Sequence, residues 1–165
     1  MGQLTKSTAN TTEEYLTFLM DGEEYGVDIL SVQEIRGWSA VRAIPNTPDY
    51  IKGVIDLRGV IVPIIDMRER FGLKQQTYNH TTVVIVINTH TASGSRVQIG
   101  IVVDAVSEVY NLKKSEIKKA PNFGTKIDTK YIRGMASAKD KMILLLDVQL
   151  LMAPEELDAM KELID

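Results

Sequence analysis

At 165 residues, with 44% hydrophobic and 25% charged side chains, the chain is long enough to bury a core without covalent staples and too apolar to be a disordered polyelectrolyte. Its 19 Lys and Arg against 22 Asp and Glu leave a formal net charge of -3, which gives no field for gripping a phosphate backbone and argues against nucleic acid. With no cysteine, disulfides, thiolate metal sites and thiol nucleophiles are excluded together, and a reducing compartment is the natural setting.

Residues 1–13 are polar and carry no pattern that would bury a face, so a flexible tail is expected there. They lack the apolar stretch of a secretory signal, and no later run reaches the length of a membrane span, which favours a soluble, cytoplasmic protein. From Glu14 a strand, an Asp21-Gly22 turn and a second strand over Glu24 to Val27 follow. The segment from Val27 to Ile35 holds more large apolar residues than one half-buried strand can hide, so part of it is expected to line a groove or reach a partner. Gly53 to Asp66 reads as a hairpin turning at Arg58-Gly59, with Pro63 implying an edge position or a bulge. Further strands are expected over Thr82 to Ile87, Val97 to Val103, Ile132 to Ala136 and Met142 to Leu146. The stretch from Lys113 to Lys126 reads as an exposed, basic connection. A helix opens at Pro154-Glu155-Glu156, and Leu157, Met160, Leu163 and Ile164 follow its spacing. Short strands between turns, with one clear helix, define an all-β fold of small barrels.

The chain also repeats. Tyr50-Ile51-Lys52-Gly53 returns as Tyr131-Ile132-Arg133-Gly134, an offset of 81 that also carries Asp66 onto Asp147. A second offset of 74 places Gly26-Val27, Val32 and Glu34-Ile35 on Gly100-Ile101, Val106 and Glu108-Val109. Two correspondences in one order favour two related, intertwined barrel halves, about 14–80 and 81–153, followed by the helix over 154–165. Each half is too small to bury much alone, so the halves should pack together and leave a groove between them.

No catalytic constellation emerges. Asp66 and Asp147 follow apolar strands at equivalent positions and read as turn caps, and Asp104 is ambiguous in the same way; the alternative is a small hydrolase that uses Asp104 or Asp66 with a bound metal. His80 and His90 lie in a polar stretch without a ligand cluster, Gly94 belongs to a hairpin loop, and Trp38 with Arg36 and Arg42 reads as surface packing. No metal, cofactor or catalytic residue is expected, and surfaces are left as the working parts.

Glu24-Tyr25-Gly26-Val27-Asp28-Ile29-Leu30, Val32-Gln33-Glu34-Ile35-Arg36, Ile44-Pro45-Asn46-Thr47-Pro48, the whole hairpin from Gly53 to Asp66, and Gly100 to Val109 occur in an order that resembles the CheW-like family of chemotaxis coupling proteins. Asp56 stands where members often carry Asn. The resemblance implies two five-stranded, SH3-like β-barrel subdomains and a non-enzymatic scaffold that couples chemoreceptor cytoplasmic tips to the regulatory domain of the histidine kinase CheA. It also implies a monomer in isolation and rings in signalling arrays. Carried over by position, the receptor-binding groove is Val32, Glu34, Gly53, Arg58, Gly100 and Val109. Arg58 has a planar fork suited to a partner's carboxylate, or to Glu34 within the chain.

Overall fold

The structure, a computed structural model, describes residues 11–121 and 125–164, without the side chains of 163 and 164. The expected tail lies outside the described residues as far as residue 10, and β1 begins at its end, at Thr12. The strands are β1 (Thr12–Met20), β2 (Glu23–Asp28), β3 (Val32–Gly37), β4 (Ile51–Leu57), β5 (Val60–Asp66), β6 (Val83–His90), β7 (Arg96–Val103), β8 (Ala105–Lys113), β9 (Ile132–Ala138) and β10 (Lys141–Leu146). A one-turn helix α1 (Met67–Arg70) follows β5, and α2 (Pro154–Ile164) follows β10.

The strands form two five-stranded sheets, ordered β8-β1-β2-β10-β9 and β3-β6-β7-β5-β4. Advancing every strand number by five, counting round from ten to one, turns the first order into the second. Neither half of the sequence therefore supplies a whole sheet. The leading hairpin of each half is inserted among the last three strands of the other, through the antiparallel β1–β8 and β3–β6 ladders and the parallel β2–β10 and β5–β7 ladders.

The exchange happens at two short crossings. Val27 to Ile35, which reads in sequence as one strand, is broken by a 3-10 turn over Ile29–Ser31, where the Asp28 carboxylate accepts from Leu30 N–H at 2.9 Å. There the chain leaves the first sheet for the second. At the equivalent point β7 passes to β8 through Asp104 alone. The seven-residue difference between the two offsets lies beyond these crossings, since Ile35 to Tyr50 is shorter than Val109 to Tyr131.

Each sheet is closed by one isolated bridge, Arg42 to Val54 in one and Lys118 to Met135 in the other. Each bridge exchanges both backbone hydrogen bonds, at 2.8–3.0 Å and 2.7–2.8 Å. A glycine precedes the bridged residue in both barrels. A Cβ on Gly53 would lie 2.2 Å from the Arg42 carbonyl oxygen, and Gly53 has φ 147, while a Cβ on Gly134 would lie 2.9 Å from that of Lys118. The chains approach so closely at the closures that only hydrogen fits there.

Pro63 is neither at an edge nor in a bulge: β5 lies between β4 and β7. Its partner Val54 spends both backbone groups on Arg42, and the β7 ladder begins only at Ile64, so Pro63 sits where its missing N–H breaks no ladder bond.

Three clusters make up the core. One fills the space between the sheets, with Leu16, Phe18, Met20, Tyr25, Val27 and Leu144 from the first and Ile65, Ile85, Ile87, Ile99 and Ile101 from the second. The others fill the barrels, around Tyr15, Ile143 and Leu145 in one and Val62, Ile64, Val86 and Val102 in the other. Central strands such as β1 are therefore buried on both faces, which is why they read as continuous apolar runs. Leu157 and Met160 seat α2 on the shared core; Leu163 and Ile164, expected on the same face, lie outside the described side chains. The helix is also held by Glu156, whose carboxylate accepts from Ala153 N–H at 2.8 Å, from Arg70 at 2.7 Å and from the Tyr50 hydroxyl.

Candidate partner-binding surface

The β4–β5 turn puts Arg58 at φ 53 and Gly59 at φ 86, the left-handed pair of a two-residue hairpin loop. Asp56 accepts from Gly59 N–H at 2.8 Å, so its carboxylate serves as the turn's acceptor. On β3, at the opposite edge of the same sheet, a register shift lies between Val32 and Glu34, and Glu34 reaches this tip, where it pairs with Arg58 and, at 3.6 Å, with Arg36. The Arg58 side chain is 70% exposed and Glu34 25%. The structure thus joins Arg58 and Glu34, and most of the guanidinium's donors remain free toward solvent.

The apolar members are placed differently. Val32 is half-buried against the shared core, while Val109, paired with Leu16 on β1, is 47% exposed. Ile35, 44% exposed and within the Val27 to Ile35 segment expected to line a groove or reach a partner, and Val106, packed on the shared core, occupy the equivalent places outside the expected receptor-binding set. The offset of 74 carries Val32 onto Val106 and Ile35 onto Val109, so the repeat already contained the signal. Leu30, at the first crossing, is 88% exposed.

Gly53 and Gly100 do not lie on the surface. Gly53 is buried at a barrel closure, and a Cβ on Gly100 would meet Ile64 and Val84 at 2.6 and 2.8 Å inside the second barrel. Both positions are explained by packing within the chain. Trp38 packs on that barrel's core, 4.3 Å from the Tyr78 ring.

The carboxylates are structural. Asp66 accepts from Glu69 N–H at 3.2 Å and from the Tyr78 hydroxyl, and Asp147 accepts from Gln149 N–H at 2.9 Å. Both therefore cap the turns after their strands. Asp104 receives Arg68 bidentately, Nε at 2.8 Å and Nη2 at 2.6 Å, together with Asp21 N–H at 2.9 Å. Partial burial pushes its carboxyl up, but the Arg68 and Asp21 hydrogen bonds outweigh this and hold it below the usual range. A cleft of about 280 Å³ beside Arg68, Tyr78 and Asp104 has its charged groups already paired. Among the described residues no three His, Cys, Asp or Glu side chains gather as metal ligands.

What fold and surface define together is a double-barrel binding module with an exposed charged tip and exposed aliphatic margins. The CheW-like domain family model matches residues 14–156, and the chain belongs to that family. It is 48% identical over 145 residues to the chemotaxis protein CheW of Klebsiella aerogenes, covering 88% of this chain and 84% of that one. It is 33% identical to the probable chemotaxis protein CheW of Rhizobium etli, covering 96% and 99%. The crystal structure of the scaffolding protein TtCheW from Thermoanaerobacter tengcongensis superposes with a TM-score of 0.77 at 32% identity, over 87% of this chain and 89% of that one.

Proposed function

We propose that this chain is a non-catalytic cytoplasmic adaptor that couples chemoreceptor cytoplasmic tips to the regulatory domain of the histidine kinase CheA. The observation that carries the reading is the Arg58 tip: a cation held by its turn and by Glu34, with most of its donors turned outward beside exposed aliphatic residues. A helical receptor tip would bury apolar side chains against Val32, Ile35, Val106 and Val109 and offer carboxylates to Arg58. Gly53 and Gly100 support this surface from within.

The kinase's regulatory domain shares the double-barrel fold in this family, so barrel ends are the natural surfaces for it. Two clefts flank the barrel-closing bridges at equivalent positions. One, of about 400 Å³, is lined by Arg42, Val54, Ile55 and Ile61, and the other, of about 380 Å³, by Lys118, Met135, Ala136 and Met142. In both, apolar side chains sit beside the cation of the bridge. No described helix is long and apolar enough to cross a membrane.

The test is binding of purified protein to a soluble receptor cytoplasmic fragment and to the CheA regulatory domain. Both should bind, and failure of both overturns the adaptor reading. Arg58→Ala should cost at least about 1 kcal/mol of receptor affinity, roughly fivefold, and leave the kinase contact intact. Its melting temperature should stay within a few degrees of wild type, because exposed substitutions cost about 0.5 kcal/mol or less.

A further inference from the structure

The parallel β5–β7 ladder starts late. It begins at Ile64–Gly100, whereas its counterpart β10–β2 begins at Ile143–Glu24, which the offsets of 81 and 74 place on Val62 and Gln98. No ladder therefore pairs residues 60–63 of β5 with residues 96–99 of β7, and a cleft of about 310 Å³ opens at that end of the two strands. Its lining is aliphatic and basic. Val97 is buried, Ile61 is half-buried and Val60 is 47% exposed, while the cations are Arg96, exposed at the first position of β7, and Lys161, in the last turn of α2.

Neither cation has a counter-ion. Among the described residues the Arg96 and Lys161 side chains make no ion pair or hydrogen bond, Asp158 one turn before Lys161 does not pair with it, and no carboxylate lines the cleft. Arg58, Arg68 and Arg70, by contrast, are each held by a carboxylate. In a chain whose net charge is -3, two unpaired cations beside one aliphatic cleft concentrate positive potential where an acidic and an apolar group can dock together.

We infer that this cleft docks an acidic, extended segment of a partner protein, with an aliphatic side chain laid on Val60 and Ile61 between carboxylates that meet Arg96 and Lys161. An extended segment fits because the facing edges of residues 60–63 and 96–99 carry no ladder and are open to another strand's backbone. Arg96 can grip a carboxylate bidentately and Lys161 only as a point charge, so Arg96 is the stronger of the two. The surface made by Val32, Ile35, Val106 and Val109 contributes nothing here, so this docking point stands or falls apart from the receptor-facing reading.

The experiment is fluorescence anisotropy of the full chain with pooled peptides in which Asp or Glu flank a central Leu, Ile or Val, beside a matched pool carrying Asn and Gln instead. Amide shifts in nuclear magnetic resonance spectra locate the contact. The acidic pool should bind, weaken as salt is raised, and shift the amides of residues 59–61 and 96–98. Arg96→Ala and Lys161→Ala should each weaken it about threefold, Arg96→Lys less than Arg96→Ala, and Arg96→Glu with Lys161→Glu should abolish it. Melting temperatures confirm that each variant folds. No binding by the acidic pool, equal binding by the two pools, shifts confined to other surfaces, or affinity unchanged in the doubly reversed variant overturns the proposal.

Discussion

A glycine in a family-matched block can be kept for what touches it from outside or for what its own chain does around it, and Gly53 separates the two. Its hydrogen faces the Arg42 carbonyl at the barrel closure, and its φ of 147 belongs to glycine. Gly53→Ala should therefore cost about 3 kcal/mol or more and lower the melting temperature by roughly 6–12 °C, read by thermal denaturation. Gly134→Ala, with a longer approach and no left-handed φ, should cost less. If Gly53 were instead a contact residue, Gly53→Ala would weaken receptor binding at an unchanged melting temperature. Asp104 supports a prediction of another kind. Its folded pKa is depressed, so the folded chain binds fewer protons there than the unfolded one. The resulting stability is present above the unfolded value of about 3.9 and is lost as pH falls through the folded one. Asp104→Asn should remove that acid-side dependence, making the melting temperature flatter as pH falls below the unfolded value of about 3.9, while lowering it at neutral pH. A profile as steep as wild type would place the acid sensitivity elsewhere, with Glu156 the next group to test, since it too is held low despite its burial.

Turns were more legible in the sequence than crossings. Asp21-Gly22 and Arg58-Gly59 were read correctly because two-residue loops need left-handed backbone and announce it with glycine. The break at Ile29–Ser31 contains no glycine or proline; its signal is the Asp28 cap, and an Asp before Ile-Leu-Ser is easily taken for a solvent-facing strand residue. The excess of apolar residues noticed from Val27 to Ile35 was the trace of that break, since two strands in two sheets were being counted as one. The short α1 was missed for a related reason: its cap, Asp66, was recognised as a turn former, but one helical turn over Met67–Arg70 leaves no periodicity to find. At the site, Glu34 and Arg58 were legible as a possible pair, and the structure made them one. Val106 and Ile35 stand outside the expected receptor-binding set although the repeat maps them onto Val32 and Val109. Pattern can mark a residue as apolar, but only the register shows that it sits on the margin of a core made by both sheets.

At the scale of the whole molecule, the exchange of hairpins ties stability to the intact chain. Each sheet needs strands from both halves, and the largest apolar cluster lies between the sheets, so neither half has a complete barrel to close or a complete core to bury. A chain built this way should unfold in one transition, with calorimetric and van't Hoff enthalpies in agreement. The sharper consequence concerns fragments. Peptides covering 11–81 and 82–165 should each lack the cooperative thermal transition and dispersed amide spectrum of the intact chain, and should recover both on mixing. Association would then have to supply the parallel β2–β10 and β5–β7 ladders across the cut. If either fragment alone melted cooperatively as a monomer, the halves would be independent barrels after all, and the surface formed by Val32, Ile35, Val106 and Val109 would lose the rigid frame that a shared core gives it.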